Sequence, residues 1–177
     1  MVAIPRPSVR AATVYDAADL SAIHLRSWQA AYQDLVPQDY RDKFCMAYGA
    51  ERWLRNLKAS EWPKAGVVVA IPGPELVGFV GFGPTRDEGE DADLVGEIKA
   101  IYVIPEAWGK GLGKRLMASA LGRLAAAGYA EATLWVLDTN SRARRFYEKG
   151  GWKQDGGARP GENRGFPGQE VRYRRDL

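Results

Sequence analysis

Three alternating glycines between an apolar run and an amphipathic stretch constrain the fold of this chain more than any other feature. The apolar run covers residues 94–104, and the glycines are Gly109, Gly111 and Gly113. Apolar residues then recur at helical spacing, at Leu112, Leu116, Met117, Ala120, Leu121 and Leu124. This pattern predicts a strand, a tight turn and a helix. With a further strand predicted at residues 132–137, the unit is expected to be parallel and right-handed.

The flanking segments predict the rest of a mixed α/β sheet. Further strands are expected at residues 9–14, 66–71, 76–82 and 169–176, and helices at 16–35, from residue 37 onward and at 140–149. Residues 155–168 are rich in glycine, proline and charge, which predicts a mobile loop. A chain of 177 residues fits one domain. We therefore expect a single domain over residues 1–177, with six to seven strands, about four helices and a ligand-binding core at residues 94–152.

Composition narrows the class of protein further. The net charge of +3 is too small to predict nucleic-acid binding, and the longest aliphatic run, at residues 67–71, is too short to cross a membrane. Cys45 is the only cysteine, so an intrachain disulfide and a cysteine-rich metal site are both excluded. The first ten residues lack the apolar core of a secretory signal. These features predict a cytoplasmic protein without a metal. A terminal edge strand at residues 169–176 would make a homodimer possible.

The glycine loop has the chemistry of an anion site. Backbone N–H groups freed of side chains at a helix N-terminus attract a diphosphate, and Lys110 and Lys114 add positive charge. The phosphate loop of NTPases requires glycine where Trp108 stands. The dinucleotide fingerprint requires glycine at Lys114 or Leu116. The spacing thus excludes both of these common nucleotide-binding loops.

Residues 108–113, read WGKGLG, resemble motif A of the GNAT family of N-acetyltransferases, Q/R-x-x-G-x-G/A, with Trp108 in place of Gln or Arg. Residues 134–152, read LWVLDTNSRARRFYEKGGW, resemble the motif B of that family. The resemblance covers nearly the whole chain. It implies a co-substrate, acetyl-coenzyme A, held by the loop from Gly109 to Lys114 and by the backbone of Ile101, Tyr102 and Val103.

The resemblance also implies roles for single side chains in motif B. Asn140 matches the residue that hydrogen-bonds the pantetheine arm, although a helix N-cap explains it equally well. Arg142, Arg144 and Arg145 are candidates to contact the ribose 3′-phosphate of the coenzyme. The alternative for each is a place on an exposed helical face. Tyr147 is the expected acid that protonates the departing thiolate, and the alternative is an aromatic core residue.

The amine side of the reaction has candidates with an open alternative each. The resemblance implies that Glu97 is the general base, since several family members carry a glutamate at this place in the strand, and partial burial would raise its pKa; the alternative is a solvated glutamate paired with Lys99. Trp28 and Tyr32 lie one helical turn apart on the first helix, where this family builds its acceptor pocket. The resemblance therefore implies that they line this pocket, and the alternative is that they only pack the core. His24 is expected to be structural.

The function expected from these residues is acetyl transfer from acetyl-coenzyme A to a primary amine of a small molecule or peptide. A second hypothesis is an acyl-coenzyme A sensor or an inactive module of the same fold. The presence of both Glu97 and Tyr147 favours the enzyme, because a binding module has no chemical need for them. A third hypothesis, nucleic-acid binding, depends on the arginine-rich segment 172–175 and is weakened by the small net charge.

Overall fold

The computed structural model describes residues 8–47, 49–161 and 168–177, and of residues 44–47 it describes the backbone alone. The strands are β1 Ser8–Ala11, β2 Gly66–Ile71, β3 Gly78–Pro84, β4 Val95–Val103, β5 Glu131–Leu137, β6 Lys153–Pro160 and β7 Gln169–Asp176. The helices are α1 Ala17–Tyr32, α2 Gln38–Ala47, α3 Ala50–Lys58, α4 Leu112–Ala126 and α5 Ser141–Lys149. The side chain of Cys45 and the first seven residues, on which two predictions depended, lie outside the described residues.

The strands form one mixed sheet in the order β1-β2-β3-β4-β5-β7-β6, which confirms the predicted α/β class. Only β4 and β5, joined through α4, are parallel; the other neighbours are antiparallel. The prediction that the last strand lies at an edge is wrong, because β7 is inserted between β5 and β6. The reason given for expecting a homodimer is therefore lost.

Strand β6 is the element that the sequence did not predict. Its first four residues are all exposed, only the last four alternate between half-buried and exposed, and few side chains are apolar, so no period-two hydrophobic signal marks it. A register shift between Gln154 and Ala158, with Gly156 at φ +89°, interrupts it further. The mobile loop predicted for residues 155–168 is thus a strand up to Pro160, and residues 162–167 lie outside the described part.

The core has one layer on each face of the sheet. Helix α4 packs on one face, and its buried side chains contact those of β3, β4 and β5. Helices α1 and α3 cover the other face over β2 and β3. Gly96 permits the close approach of α4, since a Cβ there would lie 2.8 Å from a methyl carbon of Leu124. In the described part of the chain, no helix combines the length and apolar composition needed to span a bilayer.

Candidate active site

The parallel strands β4 and β5 separate halfway along their length. They pair at Val95↔Glu131, Gly96↔Ala132 and Glu97↔Thr133, and no later pair forms between them in the described sheet. Strand β4 nevertheless continues to Val103 on β3, and β5 continues to Leu137 on β7. The facing edges of residues 98–103 and 134–137 therefore border a gap, and their backbone groups on that side are available to a ligand.

The gap opens onto the glycine loop at the start of α4. Gly109 and Gly111 have φ of +75° and +77°, a left-handed conformation that costs an L-residue free energy, and Gly111 is the N-cap of the helix. Gly113 is helical, and a Cβ there would touch the Phe146 ring at 3.4 Å. The loop thus exposes backbone N–H groups at the positive end of the α4 dipole, as an anion site requires.

Trp108, the one departure from motif A, is held between two neighbours. Its indole Nε1–H donates to the carbonyl oxygen of Val103 at 2.6 Å, which ties the loop to the end of β4. The guanidinium of Arg142 lies over the indole ring, 3.4 Å from its centroid. Burial lowers the pKa of Arg142. The polar side chain that Gln or Arg would bring to motif A from its own position is absent, and the guanidinium of Arg142 comes to this place from α5, a contact that no local sequence pattern signals.

One cleft of about 1430 Å³ runs through the gap and joins both faces of the sheet. Most of the residues predicted from sequence line it: Trp28, Tyr32, Ile101, Tyr102, Val103, Gly109, Gly111, Leu112, Gly113, Lys114, Asn140, Arg142 and Tyr147. Two do not. Lys110 is exposed beside the loop, and Glu97 is buried away from the cleft wall.

Tyr147 packs in the core, as one of its two interpretations predicted, and it also lines the cleft. Its ring packs in the core against Phe146, Trp152 and Tyr173, at centroid distances of 5.4, 6.4 and 6.2 Å. The residue also lines the cleft, with 9% of its surface exposed. The core contacts fix the ring, so a hydroxyl that acts in the cleft would be held in place by them.

Asn140 is an N-cap, as one of its two interpretations predicted. Its side-chain oxygen accepts a hydrogen bond from the backbone N–H of Ala143 at 3.1 Å. The bond uses only the side-chain oxygen of Asn140, a residue that also lines the cleft. The capping role is therefore compatible with a contact to a ligand in the cleft.

Glu97 differs most from its prediction. Its carboxylate accepts hydrogen bonds from the Nε and backbone N–H of Arg86, at 3.0 and 3.1 Å, and forms an ion pair with the same guanidinium. Burial alone would raise the pKa of Glu97, but the bonds and charge of Arg86 outweigh burial, and the pKa is lowered. The expected rise in pKa is wrong, and the partner of Glu97 is Arg86 rather than Lys99.

The opposite end of the cleft lies under α1 and α3. Trp28 and Tyr32 stack at a centroid distance of 4.8 Å and both line the cleft, although Trp28 is only 2% exposed. His24 packs against Trp53 and Tyr102, at 5.6 and 5.0 Å. Burial, and after it the charge of Arg52, lowers the pKa of His24 to about 3, so the ring is neutral at physiological pH. This state agrees with the structural role expected for His24.

The arginine-rich segment of β7 is engaged in ion pairs. Arg172 contacts Asp155 at 2.8 Å and Glu90 at 3.0 Å, while Arg174 contacts Glu131 at 2.6 Å. These carboxylates lie in the loop of residues 85–94 and on β5 and β6, so the positive charge is compensated locally. The feature that suggested nucleic-acid binding is thus part of an internal network.

The fold and the cleft define an acyltransferase. A family model described as "Acetyltransferase (GNAT) family" matches residues 19–152. A relative from Bacillus subtilis (strain 168), named "Uncharacterized N-acetyltransferase YuaI", is 33% identical over 135 residues, which cover 75% of this chain and 73% of the relative. The chain therefore belongs to the GNAT acetyltransferase family.

Solved structures share the fold at low sequence identity. The PaiA N-acetyltransferase from Thermoplasma acidophilum, solved with coenzyme A, superposes with a TM-score of 0.80 at 21% identity and covers 97% of this chain and 99% of its own. YncA from Salmonella typhimurium, a putative acetyltransferase solved with acetyl-CoA, gives 0.76 at 17% identity over 97% and 94% of the two chains. These likenesses establish the fold.

Proposed function

We propose that this protein transfers the acetyl group of acetyl-CoA to a primary amine of a small molecule or peptide. The observation that carries the proposal is the separation of β4 from β5 directly beside the glycine loop. A gap with backbone groups on both edges suits the amide-rich pantetheine arm, and the loop at the end of the gap suits a diphosphate.

Different residues on the coenzyme side would bind different parts of the coenzyme. The backbone of Ile101–Val103 would pair with the pantetheine amides, and the N–H groups of residues 109–114 would hold the diphosphate. Lys114 and Arg142, at the cleft wall, would neutralise phosphate charge. The complexes of PaiA with coenzyme A and of YncA with acetyl-CoA support this assignment by similarity of fold.

Acetyl transfer forms one bond and breaks one. The lone pair of a neutral amine attacks the thioester carbonyl carbon, and the C–N bond forms as the C–S bond breaks. The nitrogen loses a proton, and the sulfur gains one. Tyr147 is the proposed donor to the sulfur, because it is a phenol at the cleft wall with a ring fixed by core contacts.

Glu97 is a weaker candidate for the base than its position in the sequence suggests. Its lowered pKa and its bonds to Arg86 keep it ionised but occupied, and it does not line the cleft. We propose instead that Glu97 holds Arg86 in place at the cleft wall. Nearby cations, Arg86 and Lys99, lower the pKa of a bound ammonium, so the neutral amine forms without a dedicated base.

The test is release of free coenzyme A thiol when the protein is given acetyl-CoA and a panel of primary amines. Tyr147→Phe is expected to lower kcat by about 10²-fold or more while the Kd for coenzyme A changes little. The matched control is Tyr173→Phe, since the Tyr173 hydroxyl lies outside the cleft and bonds Glu148 and Arg144. Equal loss in both variants would remove Tyr147 as the acid.

The sensor hypothesis makes the opposite prediction. It requires coenzyme A binding, measured by calorimetry, with no thiol release above the amine-free rate for any amine. Omitting the amine also corrects for reaction of Cys45 with the thiol reagent.

A further inference from the structure

Lys99 lies at an irregularity in the pairing of β3 with β4. The register between β3 and β4 passes from Gly81↔Ala100 to Phe82↔Ile98, which leaves Lys99 as the extra residue of a β-bulge. The side chain extends along β3 and lies against Gly83, where a Cβ would be 2.8 Å from Nζ. Lys99 lines the cleft, and among the residues that the structure describes it makes no hydrogen bond and no ion pair.

Three cationic side chains line this half of the cleft, and one of them, Arg86, is paired with Glu97. Arg52 and Arg86 line it with Lys99, and burial together with the charge of Arg86 lowers the pKa of Lys99. The acids nearby are engaged: Glu97 by Arg86, and Glu170, at 2.7 Å, by Arg159.

The other titratable residues of this half are His24, which is neutral, and Asp34, which is exposed in the turn after α1. Two neutral groups add hydrogen-bond donors to this half of the cleft. Ser27 Oγ and Trp53 Nε1 are buried, belong to residues that line the cleft, and have no hydrogen-bond partner within the described ranges. The wall therefore offers positive charge and N–H or O–H donors.

We propose that the acceptor is an amine that carries a carboxylate, such as a free amino acid, and that Lys99 binds that carboxylate with Arg52 and Arg86 nearby. This inference depends on the proposed acetyl transfer and names its acceptor class. A zwitterion places its anion on the cations, and the same cations favour its neutral amine. Polyamines and aminoglycosides bring only positive charge and are repelled.

The first experiment compares each amino acid with its decarboxylated amine: phenylalanine with phenethylamine, tyrosine with tyramine, and lysine with cadaverine. The kcat/KM for the carboxylate member is expected to exceed that of its partner about tenfold or more, the effect of one charge-assisted hydrogen bond. Phosphoethanolamine and ethanolamine test phosphate as the anion, and spermidine tests a polycation.

The second experiment uses Lys99→Met, with Lys99→Arg as the matched control and thermal unfolding as the check on folding. Lys99→Met is expected to lower the ratio of kcat/KM for each amino acid to that for its decarboxylated amine by about tenfold, a ratio in which any effect of Lys99 on the pKa of the amine cancels. Lys99→Arg should retain most of the preference. Coenzyme A binding should not change in either variant, because Lys99 lies across the sheet from the glycine loop.

Three outcomes would overturn the inference. The first is that the decarboxylated amines or spermidine are used as well as the amino acids. The second is that phosphoethanolamine alone is preferred, and the third is that the preference for amino acids survives Lys99→Met. In each case thiol release shows that the enzyme is active, so acetyl transfer stands and only the acceptor class falls. Absence of thiol release with every amine would instead contradict the proposed function itself.

Discussion

Replacing Arg86 with leucine tests how Glu97 is kept ionised in the protein interior. Glu97 is 1% exposed, and Arg86 supplies every hydrogen bond found for its carboxylate within the described structure. Arg86→Leu removes the guanidinium and leaves only the backbone N–H of residue 86 as a donor. The carboxylate would then be buried with one hydrogen bond and no positive partner in contact.

The magnitude follows from the number and exposure of the bonds that are lost. A hydrogen bond to a charged group contributes about 1.5–3 kcal/mol, and two side-chain bonds disappear. The Arg86 side chain is 55% exposed, so water screens the pair and each bond contributes about 1 kcal/mol, below that range. We expect Arg86→Leu to lower the free energy of unfolding by about 2 kcal/mol at pH 7.

The loss should shrink as the pH falls. In the wild type the folded pKa of Glu97 lies below its ordinary 4.5, so its contribution is complete above pH 4.5 and is lost as the pH falls through the folded value. In the variant, burial without Arg86 raises the folded pKa. The ionised group then destabilises the fold above that pKa and is relieved by protonation below it. The difference between the two proteins is therefore largest at neutral pH and smaller near pH 4.

Urea unfolding at pH 7 and pH 4, followed by circular dichroism, measures this difference. The control is the double variant Arg86→Leu with Glu97→Gln, which removes the buried charge and should recover part of the loss at pH 7. An equal loss at both pH values, or no recovery in the double variant, would refute the account of Glu97 as a carboxylate held by Arg86.

Three further substitutions test the coenzyme side of the cleft, each by urea unfolding and by KM for acetyl-CoA. Trp108→Phe removes the donor to the Val103 carbonyl and should cost about 1 kcal/mol of stability and raise KM several-fold; an unchanged KM would show that the loop does not need this bond. Gly111→Ala forces an L-residue to φ +77° and should cost about 1–2 kcal/mol, with a higher KM. Asn140→Ala removes the bond to the Ala143 N–H and should cost about 1 kcal/mol, whereas no loss of stability would contradict the capping role.

The sequence predicts the elements around the glycine loop well because each carries a strong local signal. The period of α4 and the apolar run of β4 place both within one or two residues of their observed bounds. Strand β6 carries no such signal, since it is exposed, bulged and rich in glycine. Missing β6 also misplaced β7, because the alternation of a strand does not tell how many neighbours it has.

The backbone parts of the site were predictable because they depend on local signals in the sequence. Gly109 and Gly111 mark the tight turn in the sequence, the structure gives both a positive φ, and Lys114 follows at the start of the helix. The contact of Trp108 with Arg142 was not predictable, because the two residues are far apart in sequence and meet only when α5 packs beside the loop. In a position-by-position comparison with motif A, Trp108 counts as the loss of a polar side chain. In the folded protein, the guanidinium of Arg142 reaches this place from α5.

The same distinction decides how charged residues in an apolar strand are interpreted. Glu97 and Lys99 stand two positions apart in β4, where a regular strand would place both on one face, yet Glu97 is tied to Arg86 and Lys99 lines the cleft. Lys99 is the extra residue of the bulge, and Arg86 contacts Glu97 from the loop eleven positions earlier in the chain. Neither the bulge nor the loop contact follows from the period of β4. Of these two charged residues, the one that lines the cleft is therefore Lys99, while Glu97, which the sequence favoured as the base, holds an arginine in place.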